Sequence, residues 1–337
     1  MTLVIDQHIP FIAEAVRKEW PQVEIYPMKP EEIDNSAVRN AEVLVVRTRT
    51  KVNEELLSGS AVQLVCTATI GFDHIDTAYC ESHGIRWMSC PGCNAQAVCD
   101  YIEEALNEIS QLSIPSDRSP KEIRTFNSQF SIGIVGVGHV GSLVAKMAER
   151  KGFNVLLNDP PKGIGVSLDF SASKGLDSYG FIGQKCDIIT FHVPLDKTTY
   201  HLCDEAFLSK CKPGALIINA ARGGVVDEQA LLASGHPYIL DTWENEPHLN
   251  QEVLAHAQLA SMHIAGYSVE GKRNASQMCL NAIAEHFGLP AINLQSSIFN
   301  HKSQIGDSSP FWLSRISEQL KAHPDQFETL RKNYPLR

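Results

Sequence analysis

The chain of 337 residues is longer than one hydrophobic core usually serves, so two domains with an appendage are expected. Its 43% hydrophobic and 20% charged content is ordinary for a globular protein, and a formal charge of -10 argues against a surface built for nucleic acid or anionic membrane. Nine cysteines, scattered from Cys66 to Cys279, lack the rhythm of a disulfide scaffold and read as free thiols in a reducing cytoplasm.

No apolar run approaches the length of a membrane span, and Met1-Thr-Leu-Val-Ile-Asp6 lacks the basic start of a leader, reading instead as a first strand. A helical pattern follows over Phe11–Trp20. Short apolar strands then come at Val43–Arg47, Leu64–Ala68 and Ile85–Met88. Such strands alternating with helices predict a parallel sheet covered on both faces. Ala97–Leu112 has helical periodicity with Glu103 and Glu104 outward, and it runs into a polar, proline-bearing linker, Pro115–Gln129. A second parallel unit is predicted from Phe130–Val135, Asn154–Leu157, Asp187–Phe191, Ala215–Ile218 and Tyr238–Leu240. A helix over Lys272–Phe287 then returns to the first domain. The last fifty residues, from Leu289, read as polar and irregular, with Pro310–Leu313 as their main apolar spot.

Between the strand Ile132–Val135 and a helical pattern over Val140–Lys151 lies Gly136-Val-Gly138-His-Val-Gly141, and Asp159 ends the next strand. Strand, glycine loop, helix and a distal acid are the context that a Rossmann dinucleotide site needs. Gly136 makes the tight turn, Gly138 admits a pyrophosphate to the backbone, and Gly141 lets helix and strand pack. The helix N-terminus offers N–H groups to the phosphates. Asp159 would accept the adenosine ribose hydroxyls and repel a 2′-phosphate, which favours NAD over NADP.

Downstream, Arg222, Glu246 and His263 stand in readable frames: Asn219-Ala-Ala-Arg-Gly-Gly-Val-Val-Asp227, Asp241-Thr-Trp-Glu-Asn-Glu-Pro247 and Met262-His-Ile-Ala-Gly-Tyr267. A guanidinium, a carboxylate and an imidazole behind a nucleotide loop are what hydride transfer on a 2-hydroxy acid requires. The arginine polarises oxygen at the reacting carbon, the histidine moves the hydroxyl proton, and the glutamate holds the imidazole and favours its charged form. In this fold the three frames fall at the carboxyl ends of successive strands. Glu244 is the obvious decoy for Glu246, and Asp227 reads as a cap for the following helix. Cys90-Pro-Gly-Cys93 has no second pair at ligand spacing, so no metal is expected.

At these residues the chain resembles the D-isomer-specific 2-hydroxyacid dehydrogenases over nearly its whole length. Gly136–Gly141, Asn219–Asp227, Asp241–Pro247 and His263 carry the family-wide likeness. Arg47-Thr-Arg-Thr-Lys-Val-Asn53, Thr67–His74, Pro91–Ala95, His263–Lys272 and Leu330-Arg-Lys-Asn-Tyr334 carry a narrower one. The resemblance implies an α/β protein of two Rossmann-like parallel-sheet domains. Residues 1–98 and 268–288 would form a flavodoxin-like substrate domain, 99–267 the NAD-binding domain, and 289–337 a short extension of the dimerising kind. It further implies a cytoplasmic homodimer that oxidises 4-phosphoerythronate at C2 to 2-oxo-3-hydroxy-4-phosphobutanoate, a step of pyridoxal phosphate biosynthesis. Arg222, Glu246 and His263 would be catalytic. His139, Val140, Asp159, Val193, Ala220, Ala221, Asp241 and Gly266 would join the three glycines at the cofactor, and Thr48, Thr69 and Tyr267 would meet substrate.

The loop Thr69–Gly71 offers N–H groups to a carboxylate, and Arg47, Arg49 and Lys51 are candidates for the phosphate. Two stretches are shorter than the family pattern, Ala233–Tyr238 and the C-terminal tail. Two other readings stay open: a dehydrogenase of 3-phosphoglycerate or glycerate, and a non-catalytic NAD-sensing scaffold.

Overall fold

The computed structural model describes residues 1–111, 130–164, 178–294 and 311–335, so the predicted linker Pro115–Gln129 lies outside the described residues. The chain divides into two compact units, Met1–Asn94 with Ser268–Gln304, and Ala95–Tyr267 with Ile305–Arg337. Among the described residues no helix is long and apolar enough to cross a membrane.

The first unit holds a parallel sheet of β1 (Thr2–Asp6), β2 (Glu24–Met28), β3 (Val43–Val46), β4 (Leu64–Thr67) and β5 (Arg86–Met88), ordered β2-β1-β3-β4-β5. This is the flavodoxin-like order. Its central strands are apolar over most of their length because both faces are covered, with polar residues at their ends, such as Asp6 and Thr67. Leu3, Ile5, Val43, Val45, Leu64 and Cys66 meet the helices Ile12–Glu19 and Val269–Phe287 on one side. Val4, Leu44, Val46 and Val65 meet Val38, Leu57 and Cys80 on the other. Strand β2 has no sequence prediction behind it. It is an exposed edge carrying Pro27, which lacks a ladder donor and so reads as a breaker.

The second unit orders its strands β11-β10-β9-β8-β6-β7, all parallel: β6 (Ser131–Val135), β7 (Asn154–Asn158), β8 (Ile188–Phe191), β9 (Leu216–Asn219), β10 (Tyr238–Leu240) and β11 (Leu259–Ala260). Strand order reverses at β6, which has β7 on one side and β8 on the other. The crevice beyond the carboxyl ends of β6 and β8 is where such sheets bind ligands.

The tail differs from the irregular segment expected. Trp312–Ala322 and Phe327–Asn333 are helices, and Trp312, Leu313, Ile316 and Leu320 are buried against the second unit. Their spacing is a helical stripe thinned by polar neighbours. Glu108, 1% exposed on the helix Ala95–Gln111, accepts the N–H groups of Leu313 (2.8 Å) and Ser314 (2.7 Å), capping the tail helix from outside it. Ser317 donates no strand of its own, yet its hydroxyl accepts the Ala260 N–H at 2.9 Å and so covers the open edge of β11.

Candidate active site

Adjacent parallel strands β9, β10 and β11 end level with one another, and each releases one polar side chain beyond the sheet. After β9 the Asn219 side chain folds forward. Its amide donates to the Arg222 carbonyl (2.8 Å) and its oxygen accepts the Ala221 N–H (3.0 Å), which sets the turn that presents Arg222. Gly223 comes next because nothing larger fits: a Cβ there would lie 1.9 Å from the Trp243 carbonyl oxygen. The Arg222 loop therefore rests directly on the loop that follows β10. The half-buried guanidinium hydrogen-bonds its neighbour's carbonyl, Ala221 O, at 2.7 Å.

Glu246 and His263 are brought together. The imidazole Nδ1–H donates to Glu246 Oε2 at 2.8 Å, while Oε1 accepts the Trp243 N–H at 2.9 Å. Burial alone would raise the Glu246 carboxyl. The hydrogen bond and charge of His263, the Trp243 N–H and the charge of Arg331 outweigh it and hold the group below its usual range. With Nδ1 committed to the carboxylate, Nε2 is the nitrogen left for chemistry.

His263 has a φ of 56°, a left-handed backbone uncommon for a side chain of this size. Asp241 holds it there. Its carboxylate is 1% exposed and accepts the Ser261 hydroxyl (2.6 Å) and the N–H groups of Ile264 (2.8 Å) and Ala265 (3.0 Å). Its carbonyl accepts the His263 N–H at 2.8 Å. Asp241 is thus a brace for the turn. Tyr101 extends it, sharing a 2.8 Å bond with the Ser261 hydroxyl.

The glycine loop has the form expected of a pyrophosphate cradle. Gly136 adopts a φ of 89°, and a Cβ on Gly141 would stand 1.9 Å from the Gly136 oxygen. At Gly138 a Cβ would meet nothing, so open space faces the backbone where the helix His139–Arg150 begins. The Val137 N–H donates to Asp159 Oδ2 at 2.9 Å, which pins the acid at the end of β7 beside the loop. Val193 packs on the Gly136 turn, His139 is exposed and Val140 is half-buried at the helix start. Ala220 and Ala221 lead into Arg222, and Gly266 closes the His263 turn. Lys162, passed over in the sequence, donates to the Val137 carbonyl (2.7 Å) and lies 3.6 Å from Asp159.

Thr48 and Thr69 belong to the first unit, beyond the carboxyl ends of β3 and β4. The Thr67 and Thr69 hydroxyls share a 2.6 Å bond, Thr69 donates to Gly71 O (2.9 Å), and His74 Nε2 reaches Thr67 at 3.0 Å. Burial holds His74 below its usual range. A pocket of about 500 Å3 opens beside Thr48, Lys51 and His74. Among the three candidate cations for phosphate, Arg49 and Lys51 are exposed, while Arg47 Nε donates to the fully buried Asp6 at 2.8 Å. Lys272, quoted only as part of a motif, is half-buried at the first turn of Val269–Phe287. Burial and the charge of Arg47 push its pKa down.

Tyr267 lies in the second unit with Arg331 of the tail over its ring, 5.8 Å from the centroid. The tail motif therefore delivers a cation near Glu246, which no local spacing could disclose. Asp227 caps the helix Glu228–Ser234 through the Ala230 N–H. All nine cysteines are free. Cys90 lies 3.8 Å from Cys279 in the first unit, its thiol pushed far up by that contact and by burial.

Residues 98–265 match the family described as D-isomer specific 2-hydroxyacid dehydrogenase, NAD binding domain. The erythronate-4-phosphate dehydrogenase of Bacteroides fragilis is 40% identical, with 100% of this chain and 97% of that one covered. That of Porphyromonas gingivalis is 38% identical over 99% and 92%. The fold is shared with an NAD-bound 3-phosphoglycerate dehydrogenase of Entamoeba histolytica (TM-score 0.68, 23% identity, 86% of this chain and 95% of that one). It is shared too with a D-lactate dehydrogenase of Aquifex aeolicus in complex with NAD and lactic acid (0.65, 23%, 85% and 96%). Identity at this level along the whole chain, joined to the match of its nucleotide half, makes this protein a member of the D-isomer-specific 2-hydroxyacid dehydrogenase family.

Proposed function

We propose that the chain oxidises 4-phosphoerythronate at C2 to 2-oxo-3-hydroxy-4-phosphobutanoate, an NAD-dependent step of pyridoxal phosphate biosynthesis. The observation that carries the chemistry is the His263–Glu246 hydrogen bond, joined through Gly223 to the loop of Arg222. The relatives' names carry the substrate.

Gly136, Gly138, Gly141, His139 and Val140 would hold the pyrophosphate, and Asp159 the ribose. Val193, Ala220, Ala221 and Gly266 would line the nicotinamide side through backbone atoms, with Asp241 acting there through the turn it braces. When bound, NAD supplies the acceptor for the C2 hydride. His263 Nε2 takes the C2 hydroxyl proton while Glu246 stabilises the imidazolium that forms. Arg222 holds the oxygen and the carboxylate as the carbon flattens. Thr48, Thr69 and Tyr267 position the acid. Arg47, Arg49, Lys51 and Lys272 are the cations available to the phosphate. A cytoplasmic homodimer is what the resemblance implies, and free thiols suit a reducing compartment.

The test is NADH formation from 4-phosphoerythronate beside 3-phosphoglycerate and D-glycerate, with the 2-oxo product removed continuously because alcohol oxidation is uphill. Preference for 4-phosphoerythronate supports the reading. Turnover of another acid alone keeps the mechanism and overturns the substrate. NAD binding without turnover of any acid points to a sensing scaffold.

A further inference from the structure

A second imidazole lies beneath the same two loops. His201 adopts a φ of 50°, donates its N–H to Gly224 O at 2.7 Å and stacks on Tyr200 with ring centroids 4.0 Å apart. Its ring nitrogens face carboxylates from different loops. Nδ1 lies 3.5 Å from Asp227 Oδ2, and Nε2 hydrogen-bonds Glu244 Oε1. Asp227 ends the loop that Arg222 begins, and Glu244 stands two residues before Glu246. A third carboxylate, Glu228, is 3% exposed and accepts the Glu244 N–H at 2.8 Å.

Nε2 hydrogen-bonds Glu244 while Nδ1 stands at ion-pair distance from Asp227, so a ring carrying both N–H groups would serve both carboxylates. We infer that His201 is a positioning residue: as a cation between Asp227 and Glu244 it clasps the Arg222 loop to the Glu246 loop, so that the arginine and the acid–base pair are presented together. The inference rests on the roles proposed above for Arg222, Glu246 and His263. The charged groups around the ring are Asp227 from the loop after β9, Glu244 from the loop after β10, and Asp204 and Lys210 on the pocket beside it. Glu228 lies behind Glu244 and Glu246 beyond it. Glu228 is pushed up to about 7, first by its burial and further by the charges of Glu244, Glu246 and Asp227.

The test compares His201→Gln, His201→Arg and the double variant His201→Gln/Glu244→Gln on whichever acid the wild type oxidises best. Loss of the clasp misplaces reacting groups, so His201→Gln should lower kcat about tenfold or more. NAD affinity should stay within about twofold, because the glycine loop is untouched. His201→Arg, which keeps the charge, should retain most of kcat. Removing the now unpaired carboxylate in the double variant should recover at least about threefold. Equal impairment of the Gln and Arg variants, or a Gln variant at wild-type kcat, overturns the clasp. Should the wild type oxidise no acid, the proposed reaction fails but the clasp is still read by amide exchange. His201→Gln must then speed exchange in residues 222–226 and 243–246 together, and loosening of one loop alone overturns it.

Discussion

Glu228→Gln should make folding stability far less sensitive to pH between weakly acidic and weakly alkaline conditions. The carboxyl is buried at 3% exposure beside Glu244, Glu246 and Asp227, and only the Glu244 N–H favours its charged form, leaving it at about 7 against an ordinary 4.5. Below 4.5 both folded and unfolded chains hold the proton. As pH rises further the unfolded chain releases it while the folded chain keeps it, so stability falls until the folded group also ionises near 7. At about 1.4 kcal/mol per pH unit, this side chain removes about 2 to 3 kcal/mol between about pH 5 and about pH 8. Glutamine keeps the shape and the oxygen that accepts the Glu244 N–H but has no proton to lose. Urea unfolding of wild type and variant at the two pH values measures the difference. The variant should gain about 2 to 3 kcal/mol on wild type at the higher pH relative to the lower. An offset between the two proteins that is the same at both pH values would refute the argument.

Three further outcomes are expected. His263→Ala should cut turnover by about 10² to 10⁴ while NAD affinity, measured by binding, stays within about twofold, and wild-type turnover would remove the histidine from the mechanism. Gly141→Ala places a methyl 1.9 Å from the Gly136 oxygen, so NAD binding by titration should be lost, and unchanged affinity would mean the cradle relaxes. Glu108→Ala strands the N–H groups of Leu313 and Ser314 in a buried position at a cost of about 1 to 3 kcal/mol. Amide exchange in Trp312–Ala322 should quicken, and unchanged exchange would show that the apolar stripe alone seats the helix.

Much of the fold was legible because buried parallel strands must be apolar at every position. Val43-Leu-Val-Val46 and Leu216-Ile-Ile218 could hardly be anything else. Strand β2 was not, since its proline and exposed side chains suit only an edge, and being an edge is a property of the sheet. The helix Trp312–Ala322 was hidden by polar residues that face away from a core the sequence does not show. At the site, residue type and frame sufficed to nominate Arg222, Glu246 and His263. The hydrogen bond between the last two spans 17 residues and exists only because β10 and β11 lie side by side. The resemblance puts Asp241 at the cofactor, and only the fold discloses that its carboxylate also holds the turn. Lys272 and Arg331 stand in quoted motifs but meet their neighbours only through the fold, as His201 does.

The carboxylate of Asp241 also bears on the timescale on which the His263 turn opens. Ile264 and Ala265 lie in the turn beyond β11, where a surface loop would exchange its amides with solvent freely. Both N–H groups instead end on a carboxylate anchored through Ser261 to Tyr101 in the interior. Protons held in this way should leave slowly, as that interior opens. The turn that carries His263 is in this sense core rather than loop.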